Sequence, residues 1–129
     1  MKSITNLMIN EYRLKDIDFM GYRFNIDSAS FHHLIIPRRC GGLETIENGA
    51  ILNRNTSHPY LHIIEGRDYE KFRDITEEMI EENELGRLDT KNLKRIDEIL
   101  RSFEREHSSD RTAKGKYLIK EEYIRGRRV

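Results

Sequence analysis

Residues 31–65, FHHLIIPRRCGGLETIENGAILNRNTSHPYLHIIE, hold four of the five histidines of this 129-residue chain. The stretch Phe31–Ile36, FHHLII, predicts a short strand. Pro37 stops it, because a proline cannot donate to a ladder. Residues 38–45, RRCGGLET, predict a loop whose paired glycines permit unusual backbone angles. Ala50–Leu52 predicts a second short strand. Pro59 suits the first turn of a helix capped by Ser57 or His58 and running to Glu65, with Gly66 at its end.

The histidine spacing carries the chemistry. His58 and His62 stand four apart, so on a helix both rings lie on one face. A third imidazole from a neighbouring strand completes a three-ligand metal site with positions left open for water or substrate. Adjacent strand residues point to opposite faces, so His32 and His33 divide into one ligand and one free imidazole nearby. Pro59 disfavours helical angles in the residue before it, which places His58 at the helix cap. Three imidazoles favour Zn²⁺, Ni²⁺ or Mn²⁺ over Mg²⁺, which prefers oxygen.

The ordered set His32-His33, Asn48, His58 and His62 resembles the HNH endonuclease family. It is most similar to the colicin DNase variety, which carries a His-x-x-x-His on its helix. The resemblance covers about residues 31–65. It implies an α+β chain, a ββα-metal (HNH) finger with a helical C-terminal half. It implies a metal-dependent endonuclease hydrolysing phosphodiester bonds in DNA, with RNA as an alternative substrate. His33 would be the general base. His32, His58 and His62 would hold a divalent ion (Zn, Ni, Mn or Mg), and Asn48 would tie the loop so that the His33 ring stays aimed. Asn48 also has a plain reading as a turn residue before Gly49. In this family the finger lies against the minor groove and contacts mainly backbone. Arg38, Arg39 and Arg54 are therefore candidates for phosphate contact, against a reading as solvated loop charge. Glu65 is a candidate to touch a ligand histidine from outside the metal. Many HNH domains carry two Cys-x-x-Cys pairs around a structural zinc. Here Asn53 and Thr56 stand where cysteines would fall, so the helices at 67–107 are expected to hold the fold. A different class of function is a non-catalytic, partner-binding or regulatory protein that keeps the metal site as a staple.

Outward from this stretch, hydrophobic residues make up 36% and charged residues 36%, with a mean hydropathy of −0.77. Such a composition predicts a small core and charged helix faces. Apolar runs reach about four residues, far short of the ~20 that a membrane span needs. A secretory apolar block is missing too, and a cytoplasmic location fits. The lone Cys40 excludes an internal disulfide and a cysteine-based zinc cluster. Its nucleophile reading lacks a dedicated base.

Charge is balanced at 23 bases and 23 acids, which argues against a wrapper of nucleic acid. It is uneven, however. Residues 65–84 carry nine acids and three bases, and residues 108–129 seven bases and three acids. Residues 1–17 predict a weak helix and Asp18–Asn25 an aromatic strand. Phe72, Ile75, Thr76, Met79 and Ile80 make a helical stripe stopped by Gly86. Asp89 or Thr90 caps a further helix striped by Leu93, Ile96, Leu100 and Phe103. The expected organisation is one domain over 1–107, with the motif at 31–65 and helices at 67–107, and a basic tail at 108–129. In that tail Arg125, Arg127 and Arg128 are candidates for nucleic-acid contact.

Overall fold

In the computed structural model, which describes residues 3–107 and 119–127, the chain is α+β. Among the described residues it has five α-helices and one two-stranded antiparallel sheet. Helix α1 spans Ile4–Glu11, capped by the Ser3 hydroxyl, which accepts from the Asn6 N–H. Strand β1 is Ala29–His33 and strand β2 is Gly49–Asn53, paired in the register Ser30↔Leu52, Phe31↔Ile51 and His33↔Gly49. Helix α2 is Ser57–Arg67, α3 Tyr69–Leu85, α4 Thr90–Glu106 and α5 Glu121–Arg125.

The aromatic stretch Asp18–Asn25 does not form the expected strand. Asp18 winds it into a turn instead. Its Oδ1 accepts from the N–H groups of Met20 and Tyr22, both at 2.9 Å, and Gly21 takes a left-handed φ of 84°. Only isolated bridges remain, Ile17 to Arg23 and Tyr22 to Arg127. Phe19, Met20 and Tyr22 are fully buried, so the aromatics serve as core rather than as a sheet face.

Strand β1 lies two to three residues earlier than Phe31–Ile36. It ends at His33 because its partner begins at Gly49, and because the backbone beyond is taken by Asn48. The Asn48 Oδ1 accepts from Ile35 N and Ile36 N at 3.0 and 2.9 Å, and its Nδ2 donates to Ile36 O and Leu43 O. Gly49 is fixed by packing: a Cβ there would stand 2.1 Å from the Phe31 ring. Asn48–Gly49 is thus a junction into β2 and not a hairpin turn.

Gly66 does not end α2. The helix runs on to Arg67, and Asp68 breaks it with φ −149° and ψ 82°. The Asp68 carboxylate then accepts from Lys71 N and opens α3. Gly86 ends α3 with a left-handed φ of 71°, as its position predicts. Ile75 and Met79 of α3 meet Ile96, Leu100 and Phe103 of α4 in the core.

The last described stretch is not a tail outside the domain. Ile119 and Tyr123 are buried in the same core, and the Arg127 guanidinium bonds both carboxylate oxygens of Glu104 at 2.6 and 2.8 Å. Arg127 is therefore a structural cation and is withdrawn from nucleic-acid contact, while Arg125 stays exposed. Arg128 and residues 108–118 lie outside the described residues. No helix is long and apolar enough to cross a membrane, among the described residues.

Candidate metal centre

Period-two alternation sorts the residues of β1. Ser30 and His32 point one way and both meet His58 of α2. Phe31 and His33 point the other way, with the His33 ring edge-on to Phe31 at 5.0 Å and 83°. The two adjacent histidines are thus parted by the strand itself.

Helix α2 starts earlier than the proline suggested. Its cap is Thr56, and His58 lies inside the helix rather than at the cap. Buried Asp18 accounts for this. Its Oδ2 accepts from Asn53 N at 2.8 Å and from the Ser57 hydroxyl at 2.5 Å, which joins the end of β2 to the first residue of α2. Pro59 is tolerated because the first turn of a helix has no carbonyl waiting for its N–H. The His58 and His62 rings accordingly share a face, with centroids 5.1 Å apart.

Ser30 and Glu65 bear on which nitrogen two of the rings offer. The Ser30 hydroxyl lies 3.1 Å from Leu52 O and 2.7 Å from His58 Nδ1. When its one proton goes to Leu52 O, it accepts from His58 Nδ1 and the His58 lone pair is on Nε2. His62 Nδ1 lies 3.1 Å from the Glu65 carboxylate, an acceptor, so its lone pair is on Nε2 as well. These are the outer contacts that commonly orient histidine ligands.

The third ring completes the cluster. His32 Nδ1 is 3.3 Å from His58 Nε2, and one nitrogen from each of His32, His58 and His62 lies within 4.8 Å of the others. Two nitrogens on one tetrahedral ion at ~2.0–2.1 Å stand about 3.3–3.4 Å apart. The His32 Nε2 is buried with no hydrogen-bond partner among the described residues. One ring offers one nitrogen to an ion, and the 3.3 Å spacing makes it Nδ1 for His32, in a set of three imidazole donors that fits a cation with nitrogen ligands. Burial and then the neighbouring imidazoles push His32 down to about 3. Burial, His62 and His33 push His58 down to about 4. Both rings are neutral at pH 7, the form in which imidazole ligates.

The cluster opens on a cleft of about 1000 Å³. His33, Arg38 and Arg39 line it from the β1 side and its loop, and His58, His62 and Glu65 from α2. Asn48 makes no contact with this cleft. It braces the loop backbone directly after His33 by the four bonds described above. Arg54 is not brought to the cleft either. Its guanidinium spans Asp27 O and Ala29 O at the far end of β1. Cys40 is an exposed loop thiol.

Three contributors went unread in the sequence. Ser30 gave no signal, because its role depends on register with Leu52. Tyr69 and Arg73 of α3 line the same cleft but sit in a segment whose net acidity and apolar stripe suggested only a solvated face over core. A second grouping, Asp68, Glu106 and His107, encloses the Lys71 ammonium, which lies 3.1 Å from Asp68 and 3.0 Å from Glu106. No protein-family model, curated protein or solved structure matches this chain.

Proposed function

We propose that this chain is a metal-dependent endonuclease that hydrolyses phosphodiester bonds in DNA, with β1, β2 and α2 forming a ββα-metal finger. One observation carries the reading. His32 of a three-imidazole cluster and a fourth imidazole, His33, issue from opposite faces of one strand, and all four rings border the same cleft, beside Arg38 and Arg39. His32, His58 and His62 would hold a divalent transition ion, which when bound would supply positive charge to the phosphate and to the departing oxygen. His33 is the general base that takes the proton from the attacking water. Its Nε2 is buried without a hydrogen-bond partner among the described residues, so the nitrogen that would meet the water is Nδ1. Asn48 locks the backbone of residues 35, 36 and 43 and so holds the end of β1, where His33 sits. Ser30 and Glu65 keep two ligand rings turned with Nε2 outward. Arg38 and Arg39 place positive charge at the cleft for the phosphates.

The test is incubation of supercoiled plasmid with the full chain, in EDTA or with each of Mg²⁺, Mn²⁺, Ni²⁺ and Zn²⁺. Nicked or linear product with at least one ion, and none in EDTA, is the expected result. A protein that binds an ion tightly yet cleaves neither plasmid nor RNA overturns the proposal in favour of a structural staple.

A further inference from the structure

Helix α3 presents Tyr69, Phe72, Arg73, Thr76 and Glu77 along one wall of the cleft. This is the three- and four-residue spacing of a single helix face. Tyr69 is 61% exposed, at the first position of the helix. Its ring lies 5.6 Å from that of Phe72, tilted by 32°. Phe72 packs in turn against the core, so the exposed ring rests on a rooted one. Arg73 follows Tyr69 by one turn. A lone exposed tyrosine needs no explanation. One that is backed by a second ring, adjoined by a guanidinium and set in the cleft that holds the imidazoles has a surface suited to a nucleobase.

Base exposure chooses between the forms of nucleic acid. Of the nine acids at 65–84 only Glu65 and Glu77 line the cleft, with Glu44 of the loop, against Arg38, Arg39 and Arg73. In a duplex the bases stack on one another and hide their ring faces. The unstacked bases of a single strand expose those faces to an aromatic side chain such as Tyr69.

We propose that the cleft takes a single-stranded or locally unpaired segment, with a base stacked on Tyr69 and the neighbouring phosphates held by Arg73, Arg38 and Arg39. This rests on the phosphodiesterase reading and narrows its substrate.

Binding in EDTA, where no cleavage intervenes, tests it. The probes are a fluorescent 14-nucleotide DNA strand and the blunt duplex made from it. The full chain is expected to bind the single strand at least 10-fold more tightly than the duplex. Tyr69→Ala should weaken single-strand binding about 5- to 100-fold and leave duplex binding unchanged, while Tyr69→Phe binds like wild type. Arg73→Ala should weaken binding and make its salt slope shallower by about one unit. Thermal melting of each variant checks that it is folded. Tighter binding of the duplex, or a folded Tyr69→Ala with undiminished single-strand binding, overturns the inference. Metal-dependent cleavage is scored separately on both probes. Single-strand cleavage untouched by Tyr69→Ala at sub-saturating protein defeats the stacking site alone. Tyrosine-dependent binding without cleavage by any ion defeats the nuclease reading alone.

Discussion

His32 and His33 share a peptide bond and face different chemistry, so they should fail differently. His33→Ala leaves His32, His58 and His62 in place. Metal content should stay near wild type while cleavage falls by ~10²–10⁴, the usual worth of a general base. His32→Ala removes a buried ligand and should lose metal as well as rate, with partial rescue by excess ion. Metal stoichiometry and cleavage rate, taken side by side, check this. A His33→Ala protein without metal, beside a His32→Ala protein that keeps it, reverses the two roles. Ser30 makes a subtler case. Without its hydroxyl, His58 Nδ1 loses that partner and the ring is free to turn. Ser30→Ala should cost about 10- to 100-fold in metal affinity, read by competition with a chelator at fixed pH. Unchanged affinity would mean that the helix alone orients the ring. The parting of His32 from His33 was legible in sequence, because alternation is a property of any strand. Ser30 was not, because its acceptor Leu52 lies 22 residues away and meets it only through the register of the hairpin.

At the level of elements, apolar periodicity located α3 and α4 and the glycine at the end of α3. It did so because their stripes and stops are local. The boundaries of β1 and α2 were not local. Asn48 closes the strand from 12 or 13 residues downstream, and Asp18 sets the start of α2 from 39 residues upstream. Asp18 also turned an aromatic run into a core turn, which no period in that run announces. The join between α3 and α4 holds a titrating group of its own. The Glu82 carboxylate is fully buried. One oxygen lacks a hydrogen-bond partner among the described residues and the other meets Asp89 N only at 3.5 Å. Burial, with Asp18, Asp89 and Glu78 nearby, raises it from the ordinary 4.5 to about 9. The folded chain then keeps a proton that the unfolded chain releases, so this group lowers stability as pH rises from about 4.5 to about 9. The lowered His32 and His58 act the other way, but only below the ordinary 6.5, and Asp18, raised to about 6, has finished by then as well. Between pH 7 and 9 the wild type should therefore lose stability at up to about 1.4 kcal/mol per pH unit, by urea unfolding. Glu82→Gln should flatten that slope. Equal slopes in both proteins would place the titration elsewhere.

Across the whole molecule, the C-terminal stretch is the far anchor of the site helix. Tyr60 stands between His58 and His62 on α2 and turns inward, where its hydroxyl donates to Glu104 of α4 at 2.8 Å. Glu104 is paired in turn by Arg127, whose side chain is 5% exposed and which also reaches Asp97 at 3.1 Å. Tyr22 donates to the Tyr123 backbone, and the Tyr60 and Tyr123 rings stack at 5.3 Å. Reading residues 108–129 as a tail followed from their basic balance. Charge counts cannot show that one of those bases is buried against an acid 23 residues earlier. A separate tail would be dispensable for folding; an anchor is not. A chain ending at residue 118 keeps Glu104 buried under Tyr60 without its cation, and loses Ile119 and Tyr123 from the core. Breaking a buried pair in this way costs about 3–5 kcal/mol before the lost packing is counted. For a chain of this size that lowers Tm by roughly 10 °C or more. The ion pair and the packing are separable. Arg127→Met removes the cation and keeps most of its bulk, so it should be destabilised by about 3 kcal/mol. Adding Glu104→Gln removes the stranded charge while Tyr60 keeps an acceptor, so the double variant should regain much of that loss. Melting of the truncated, single and double variants at one pH gives the answer. If the truncated chain melts with the full one, the anchor is not one. If the double variant is no more stable than Arg127→Met, what matters is the shape of the arginine and not its charge.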